Sequence, residues 1–361
     1  LFDPKTGRLA YPHLKPHLGK RPPFAPNHNG APWAEPIHQA ANGTRTAEPA
    51  RPGENGPWSL CPVEANSSAT MKKYVVNAIT LPITLAPAKG NQPAIVDKKG
   101  QIYVNAEEEA AIRADDKKKI PLVLRANVGD CVDVIFKSKL DDNDPEVLHS
   151  SKVNMHIHFV QFDTQASDGV ITGMSYEQSV RPFTQLAPKH EGLPTPQNTT
   201  ITTAAAKGKG ALTVADASRF HVGTEVGIGM DKVEEFEVRR IEAIKGNTLT
   251  LHEPLSHPHQ KGEIVSVEFV RYRWYVDSDF GMTFWHDHAF GLTSWAHGLF
   301  GGLVAEPRGS TYHDPVTGKE VRSGNIVDIH TNEPVSAHIR VGFREMVAQI
   351  MDDVPRTDNR I

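Results

Sequence analysis

The hydrophobic pattern divides the chain unevenly. Residues 1–70 show no apolar period of two or of 3.6; Pro, His, Gly and Asn crowd the stretch 11–36. This part is expected to be an extended Pro-rich arm, laid across a folded surface through side chains such as Trp33 and Trp58, with a disordered segment as the alternative. From residue 71 the pattern changes. Residues 73–81, 131–136 and 153–162 are β-branched runs of strand character, 120–125 is a short apolar run, and 127–130 (NVGD) is a turn. One short helix is expected over 106–114, where Ala and Glu dominate. Strand character resumes over 267–276, 283–285 and 299–306. Short strands punctuated by turns predict a mainly β fold, an antiparallel sandwich or barrel.

Residues 190–266 carry their own short strands, at 211–214, 225–228, 235–244 and 248–251, with Gly246-Asn247 as a hairpin turn. They read as a small β module inserted into the sandwich. Gly208-Lys-Gly210 within it is a turn, because the Ser or Thr that completes a phosphate loop is missing and no helix follows. The expected organisation is an arm over 1–70, the first part of the sandwich over 71–189, the module over 190–266 and the second part of the sandwich over 267–309. Residues 310–361 would be a linker whose one strand, 345–351, begins a following domain.

Charge and composition narrow the function. Lys and Arg number 39 against 43 Asp and Glu, a net charge of −4. No nucleic-acid partner is expected, because phosphate binding needs clustered positive charge. No run of 18 apolar residues exists, so no membrane span is expected. Two cysteines exclude a Cys₄ metal site and a disulfide-dense scaffold. Histidine stands out instead, with 18 copies against 14 Phe and 7 Tyr.

Several of these histidines fall in His-x-His pairs. Residues two apart on a strand share a face, so His156 and His158 can present two imidazoles about 7 Å apart along one edge. His286 and His288 repeat the spacing at the end of another strand-like run. Four imidazoles from two neighbouring strands make a nitrogen-only site that suits copper or zinc. The plain alternative is two pairs of ordinary, partly buried histidines. A third pair, His257 and His259, lies in a Pro-rich loop of the module and is expected at the surface. Asp287 alternates with the two histidines beside it and is expected to face outward.

The flanking residues add a resemblance. Gly281-Met-Thr-Phe-Trp-His-Asp-His288 and the run 297–307 (HGLFGGLVAEP) resemble the first copper-binding domain of multicopper oxidases. So do 121–130 (PLVLRANVGD) and 177–182 (EQSVRP). The resemblance covers 71–187 and 267–361; the module lies outside it and separates the two His pairs more widely than is usual in the family. It implies a cupredoxin-like antiparallel β-sandwich. It further implies that His156 is a type 2 copper ligand, and that His158, His286 and His288 are ligands of the type 3 pair. Asp168, in Ser-Asp-Gly-Val, matches the acidic residue near the cluster that helps to deliver protons as oxygen is reduced, although an Asp before Gly is more commonly a turn residue. His297, ahead of a Gly turn, is a candidate to back a ligand.

A blue-copper centre needs a Cys thiolate with histidines near it. Neither Cys61 nor Cys131 has a neighbouring His. The type 1 copper and the other half of the cluster's imidazoles are therefore expected from C-terminal cupredoxin domains of the same precursor or from a second chain, with this chain as the N-terminal half of a laccase-like oxidase. The function implied is one-electron oxidation of a phenol, or of a metal ion such as Mn(II) or Fe(II), coupled to four-electron reduction of O2 to water. Such an enzyme is expected to be secreted, extracellular or periplasmic, where Cys61 and Cys131 could form a disulfide; two buried thiols are the alternative. Two other functions stay open. One is a non-catalytic cupredoxin-like domain that binds copper without turnover. The other is a zinc hydrolase on the same imidazoles, which would need an open coordination position and a carboxylate base beside the metal.

Overall fold

A computed structural model describes residues 71–141, 152–162, 167–170, 178–186, 198–223, 225–331 and 342–350. The expected arm over 1–70, Cys61 and the chain end lie outside the described residues. The chain begins with β1 (Met71–Thr80), the short hairpin β2 (Ile83–Ala86) and β3 (Ile95–Asp97), then β4 (Gln101–Asn105). A helix α1 (Glu109–Ala114) falls within the stretch expected to be helical and leads to β5 (Val123–Asn127), β6 (Cys131–Lys139), β7 (His156–Ile157) and β8 (Gln161–Phe162). Six strands follow in the module: β9 (Asn198–Thr200), β10 (Ala211–Thr213), β11 (Glu225–Ile228), β12 (Glu237–Lys245), β13 (Thr248–Leu251) and β14 (Ile264–Ser266). The chain then runs through β15 (Phe269–Tyr275), β16 (Gly281–His286), helix α2 (Gly291–Ala296) and β17 (Phe300–Glu306). It closes with β18 (Thr311–His313), β19 (Ile326–His330) and β20 (Phe343–Met346).

Two sheets form the sandwich. One has the order β4-β1-β6-β15-β8 and the other β5-β17-β16-β7. Alternate residues of β6 (Val132, Val134, Phe136) and β15 (Tyr272, Trp274) meet Leu124 of β5, Trp285 of β16 and Leu303 of β17 in one core. Trp274 and Trp285 stack across it at 6.2 Å between centroids. The mainly β sandwich is as the sequence pattern predicts, but not all its pairings are antiparallel. β1 pairs with β6, and β5 with β17, in parallel. Between β1 and β6 the chain crosses into the other sheet at β5, so β6 returns in the direction of β1; parallel neighbours need such a crossover.

The outward face of β6 is also buried, and its polar residues are paired. Burial alone would raise the Asp133 carboxyl. The guanidinium of Arg271, at 2.7 Å, and that of Arg273, at 3.3 Å, outweigh it and hold Asp133 well below the usual carboxylate range. Lys137 reaches from β6 into the module, where its Nζ donates to Met230 O at 2.8 Å and lies over the Phe236 ring. Burial pushes this amine down to about 7.

The module is a six-stranded sheet, β10-β13-β12-β11-β14-β9, with its own core of Leu212, Val226, Ile241, Leu249 and Val265. A second cluster joins it to the sandwich: Met230 and Val238 pack with Phe183 and Phe269. The stretch 345–351 was expected as a lone strand opening a following domain. β20 instead pairs with β19, and β19 with β18, in a three-stranded sheet around Tyr312, Val327 and Ile329. The alternation over 326–330 supplies the partner of β20.

Candidate metal centre

The two His pairs meet because their strands are neighbours. β7 and β16 pair antiparallel with His286 opposite His156 and Trp285 opposite Ile157. Trp285 and Ile157 are fully buried and fix the register, since a one-residue slip would turn them out of the core. His156 and His286 then stand side by side on the other face. The ring centroid of His156 lies 4.7 Å from that of His158, 5.4 Å from His286 and 5.0 Å from His288. One ring nitrogen from each of His156, His158 and His286 lies within 4.8 Å of the others. His288 lies at the exposed side of the cluster, outside that group of three.

Hydrogen bonds behind the rings set which nitrogen each presents. His156 Nδ1 donates to Asp168 O at 2.6 Å, with the Asp168 carboxylate 3.0 Å from the same nitrogen. His286 Nδ1 donates to Asp287 O at 3.0 Å. A carbonyl only accepts, so both rings carry a proton on Nδ1, and a neutral ring then has its lone pair on Nε2. His158 Nε2 lies 3.2 Å from His286 Nε2. Two nitrogens each about 2.0–2.1 Å from one tetrahedral ion are about 3.3 Å apart, so this pair can share an ion. The donor set fits copper or zinc.

The electrostatics lower two of the rings and raise a third. Burial, with the neighbouring imidazoles His156, His158 and His288, pushes His286 down to about 4. His158 is lowered by burial and by His156. His156 goes the other way: burial lowers it, and the Asp168 carboxylate outweighs that and raises it.

Asp168 reaches its position through a tight turn. Gly169 has φ +84°, and a Cβ there would fall 2.3 Å from Met155 O, so the backbone approaches the His156 strand as only glycine allows. Asn154 Nδ2 donates to Gly169 O at 2.6 Å and holds the turn. Asn154 also accepts His288 N–H on Oδ1 at 2.6 Å, while its own N–H donates to Asp287 Oδ1 at 3.0 Å. The two His segments are thereby laced together by Asn154 and Asp287.

Asp287 is the expectation that fails most clearly. It is buried, not outward-facing. Strand alternation stops at His286, and the next residues turn into α2. Its carboxylate accepts from Phe290 N at 3.0 Å and from Ser294 Oγ at 2.6 Å, besides Asn154 N. Its carbonyl accepts from Trp295 Nε1, and the Trp295 ring packs edge-on against His286 at 4.3 Å. Nothing in the spacing marks Asn154, Ser294 or Trp295, because their roles depend on which segments the register brings together. Phe284 stacks on His158 at 4.3 Å, a contact implied by its place two residues before His286.

The remaining histidines lie elsewhere. His297 does not back a ligand in the cluster; its Nδ1 bonds the Asp97 carboxylate at 2.8 Å. His259, expected at the surface, is fully buried between Glu237 at 2.8 Å and Glu263 at 2.7 Å. These carboxylates offset the cost of burial, and they hold the imidazole above its usual range. Cys131 is disulfide-bonded, and the chain's other cysteine is Cys61.

No family model matches the chain, and no curated protein does. Among solved structures the chain is similar to a multicopper oxidase from Pseudomonas thermotolerans, at 16% identity and a TM-score of 0.26 over 67% of this chain and 31% of that one. It is similar to the multicopper oxidase mgLAC at 12% identity and a TM-score of 0.29, over 68% of this chain and 40% of that one. It is also similar to a Campylobacter jejuni multicopper oxidase described as a metallo-oxidase, at 12% identity and a TM-score of 0.21, over 68% and 31% of the two chains. The chain spans 31% to 40% of the length of these structures. At such TM-scores the superpositions are loose, and the case for a metal centre stands on the geometry of its own residues.

Proposed function

We propose that the chain carries half of the trinuclear copper site of a multicopper oxidase. The observation behind this is the convergence of four imidazoles at the ends of two paired strands, His286 opposite His156, with a ring nitrogen of each of His156, His158 and His286 within 4.8 Å of the others. His156 is assigned to the type 2 ion, and His158, His286 and His288 to the type 3 pair, with His158 and His286 sharing one ion. Copper bound there would supply one-electron steps that sum to the four-electron reduction of O2 to water.

The protein's own part is to orient these rings. Asn154 and Asp287 fix the two segments against each other, and Trp295 and Phe284 wall two of the rings. Asp168 accepts from His156 Nδ1 with its carboxylate at 3.0 Å, and it is assigned to passing protons towards the site. With Cys131 in a disulfide, no thiolate for a type 1 copper is found among the described residues. That centre and the facing imidazoles are assigned to C-terminal cupredoxin domains of the same protein or to a second chain. Phe159, Phe284 and Phe290 are 77%, 45% and 40% exposed beside the histidines and suit a covered interface. The substrate, a phenol or a metal ion such as Mn(II) or Fe(II), would give up its electrons at that other part. A disulfide-bonded Cys131 suits a secreted or periplasmic protein. No helix among the described residues is long and apolar enough to cross a membrane.

The test pairs the chain with the polypeptide that completes the site and measures copper content and O2 consumption. His158→Ala or His286→Ala should abolish O2 consumption and deplete the type 3 ions. Asp168→Asn should slow turnover and leave copper content nearly intact; normal turnover in that variant ends the proton assignment. Copper bound with no oxygen consumed would favour a copper-binding domain without catalysis. Zinc bound in preference to copper would overturn the oxidase reading.

A further inference from the structure

Asp168 meets His156 Nδ1 with its carboxylate at 3.0 Å, and the backbone on each side of it is bonded to a different buried side chain. On one side, Ser167 O accepts from Trp274 Nε1 at 3.0 Å, and Ser167 Oγ accepts from Arg273 N–H at 3.1 Å. On the other, Gly169 N–H donates to Gln178 Oε1 at 2.8 Å, and Gln178 Nε2 donates to Val170 O at 3.3 Å. Gln178 is fully buried. Its one amide thus satisfies a donor and an acceptor of the same short turn. The two bonds also fix which way the amide faces, since an N–H only donates and a carbonyl only accepts. The main chain of Gln178 is held in turn. Tyr272 OH donates to Gln178 O and accepts at 3.2 Å from the N–H of Met155, the residue that precedes β7. Val180, two residues on, pairs with Val153 through two backbone bonds of 2.9 Å. Gln178 therefore ties the Asp168 turn to the segment that leads into His156.

We propose that Gln178 is a positioning residue for the metal centre, holding Asp168 against His156. Gly169, at φ +84°, gives the turn a wide choice of conformations, so something outside it must select one. Without the amide, Gly169 N–H and Val170 O lose their partners in the interior, and the turn has to shift to satisfy them. The Asp168 carbonyl and carboxylate shift with it, and both are what His156 Nδ1 donates to. No other side chain of this length does the same work. Methionine offers neither bond, and an ionised glutamate accepts from Gly169 but cannot donate to Val170 O. Asparagine keeps the amide and falls one methylene short. The bearing of this clamp on a bound metal rests on the copper reading; its hold on Asp168 does not.

The test compares Gln178→Met, Gln178→Asn and Val180→Ala with the parent chain, all metal-free and at one pH. Val180→Ala opens a cavity in the same buried segment and leaves the clamp in place. The readout is exchange of the His156 Nδ1 proton with water, followed by ¹H–¹⁵N NMR, alongside urea unfolding. Both Gln178 variants should speed this exchange about tenfold, the equivalent of one lost hydrogen bond. Val180→Ala should lower the urea midpoint and leave the exchange unchanged. If Gln178→Met fails to fold, Gln178→Asn decides. Unchanged exchange in a folded Gln178 variant, or an equal rise in Val180→Ala, would overturn the proposal. Copper titration of the same chains separates this proposal from the reading it rests on. Copper should bind about tenfold more weakly to the Gln178 variants than to the parent, and equal affinity would also overturn the proposal. A parent chain that takes up no copper would instead overturn the copper reading, and the proton exchange would still decide the hold on Asp168.

Discussion

Asp287 and Asn154 matter most at the scale of single residues, because each sits beside one His pair and bonds the segment of the other. Asp287→Asn keeps the shape but replaces one acceptor oxygen with a donor in a site where every neighbour donates. Copper affinity should fall about 10- to 100-fold, as for other residues that orient metal-bound imidazoles. Stability of the metal-free chain should fall by about 1–3 kcal/mol, the cost of a buried group left unsatisfied. Equilibrium dialysis and urea unfolding measure the two effects; unchanged copper affinity would remove Asp287 from the site. Its inward position was hidden in the sequence because alternation holds only within a strand, and β16 ends one residue earlier. His259 was hidden for a different reason. Its partner Glu237 lies 22 residues away, so a loop-like Pro-rich context looked like surface while the fold supplied a buried ion pair.

Among the elements, the pairing of β7 with β16 makes the site, and the module's junction sets how the rest behaves. The strands that frame the site were legible, since period-two runs at 131–136, 267–276 and 299–306 fall on β6, β15 and β17. Which strands would pair in parallel was not, because crossover depends on sheet switching that no local pattern records. The junction makes a prediction through Lys137. Its folded-state pKa of about 7 lies below the usual value of 10.5, so the unfolded chain binds more protons between those values. Stability contributed by this residue therefore rises as pH goes from about 7 towards 10.5. Lys139, Asp231 and Glu109 are the charged groups that act on it. Lys137→Met should flatten that rise in urea midpoints between neutral pH and pH 10; an equally steep rise in the variant would contradict the assignment. Excising residues 190–266 should leave copper binding in place, because no module residue touches the four rings through the described contacts. It should also reduce solubility by exposing Phe183 and Phe269, which pack on Met230 and Val238. Copper lost on excision would show that the module supports the centre.

Over the whole molecule, four imidazoles from two distant stretches of chain gather in one cluster. Three of the four rings have a nitrogen within reach of the others, and exposed phenylalanines flank them. The pairs were legible in the sequence, because His-x-His on a strand puts two imidazoles on one face by geometry alone. The hold on Asp168 was not, because Gln178 and Trp274 reach its turn only through the fold. The most direct test of the central claim is X-ray absorption at the copper edge on the copper-loaded chain, alongside His158→Ala/His286→Ala and the control His257→Ala. A nitrogen-only inner shell of imidazoles is expected, lost in the double variant and unchanged in the control. Copper retained at full occupancy in the double variant, or sulfur in its inner shell, would contradict it.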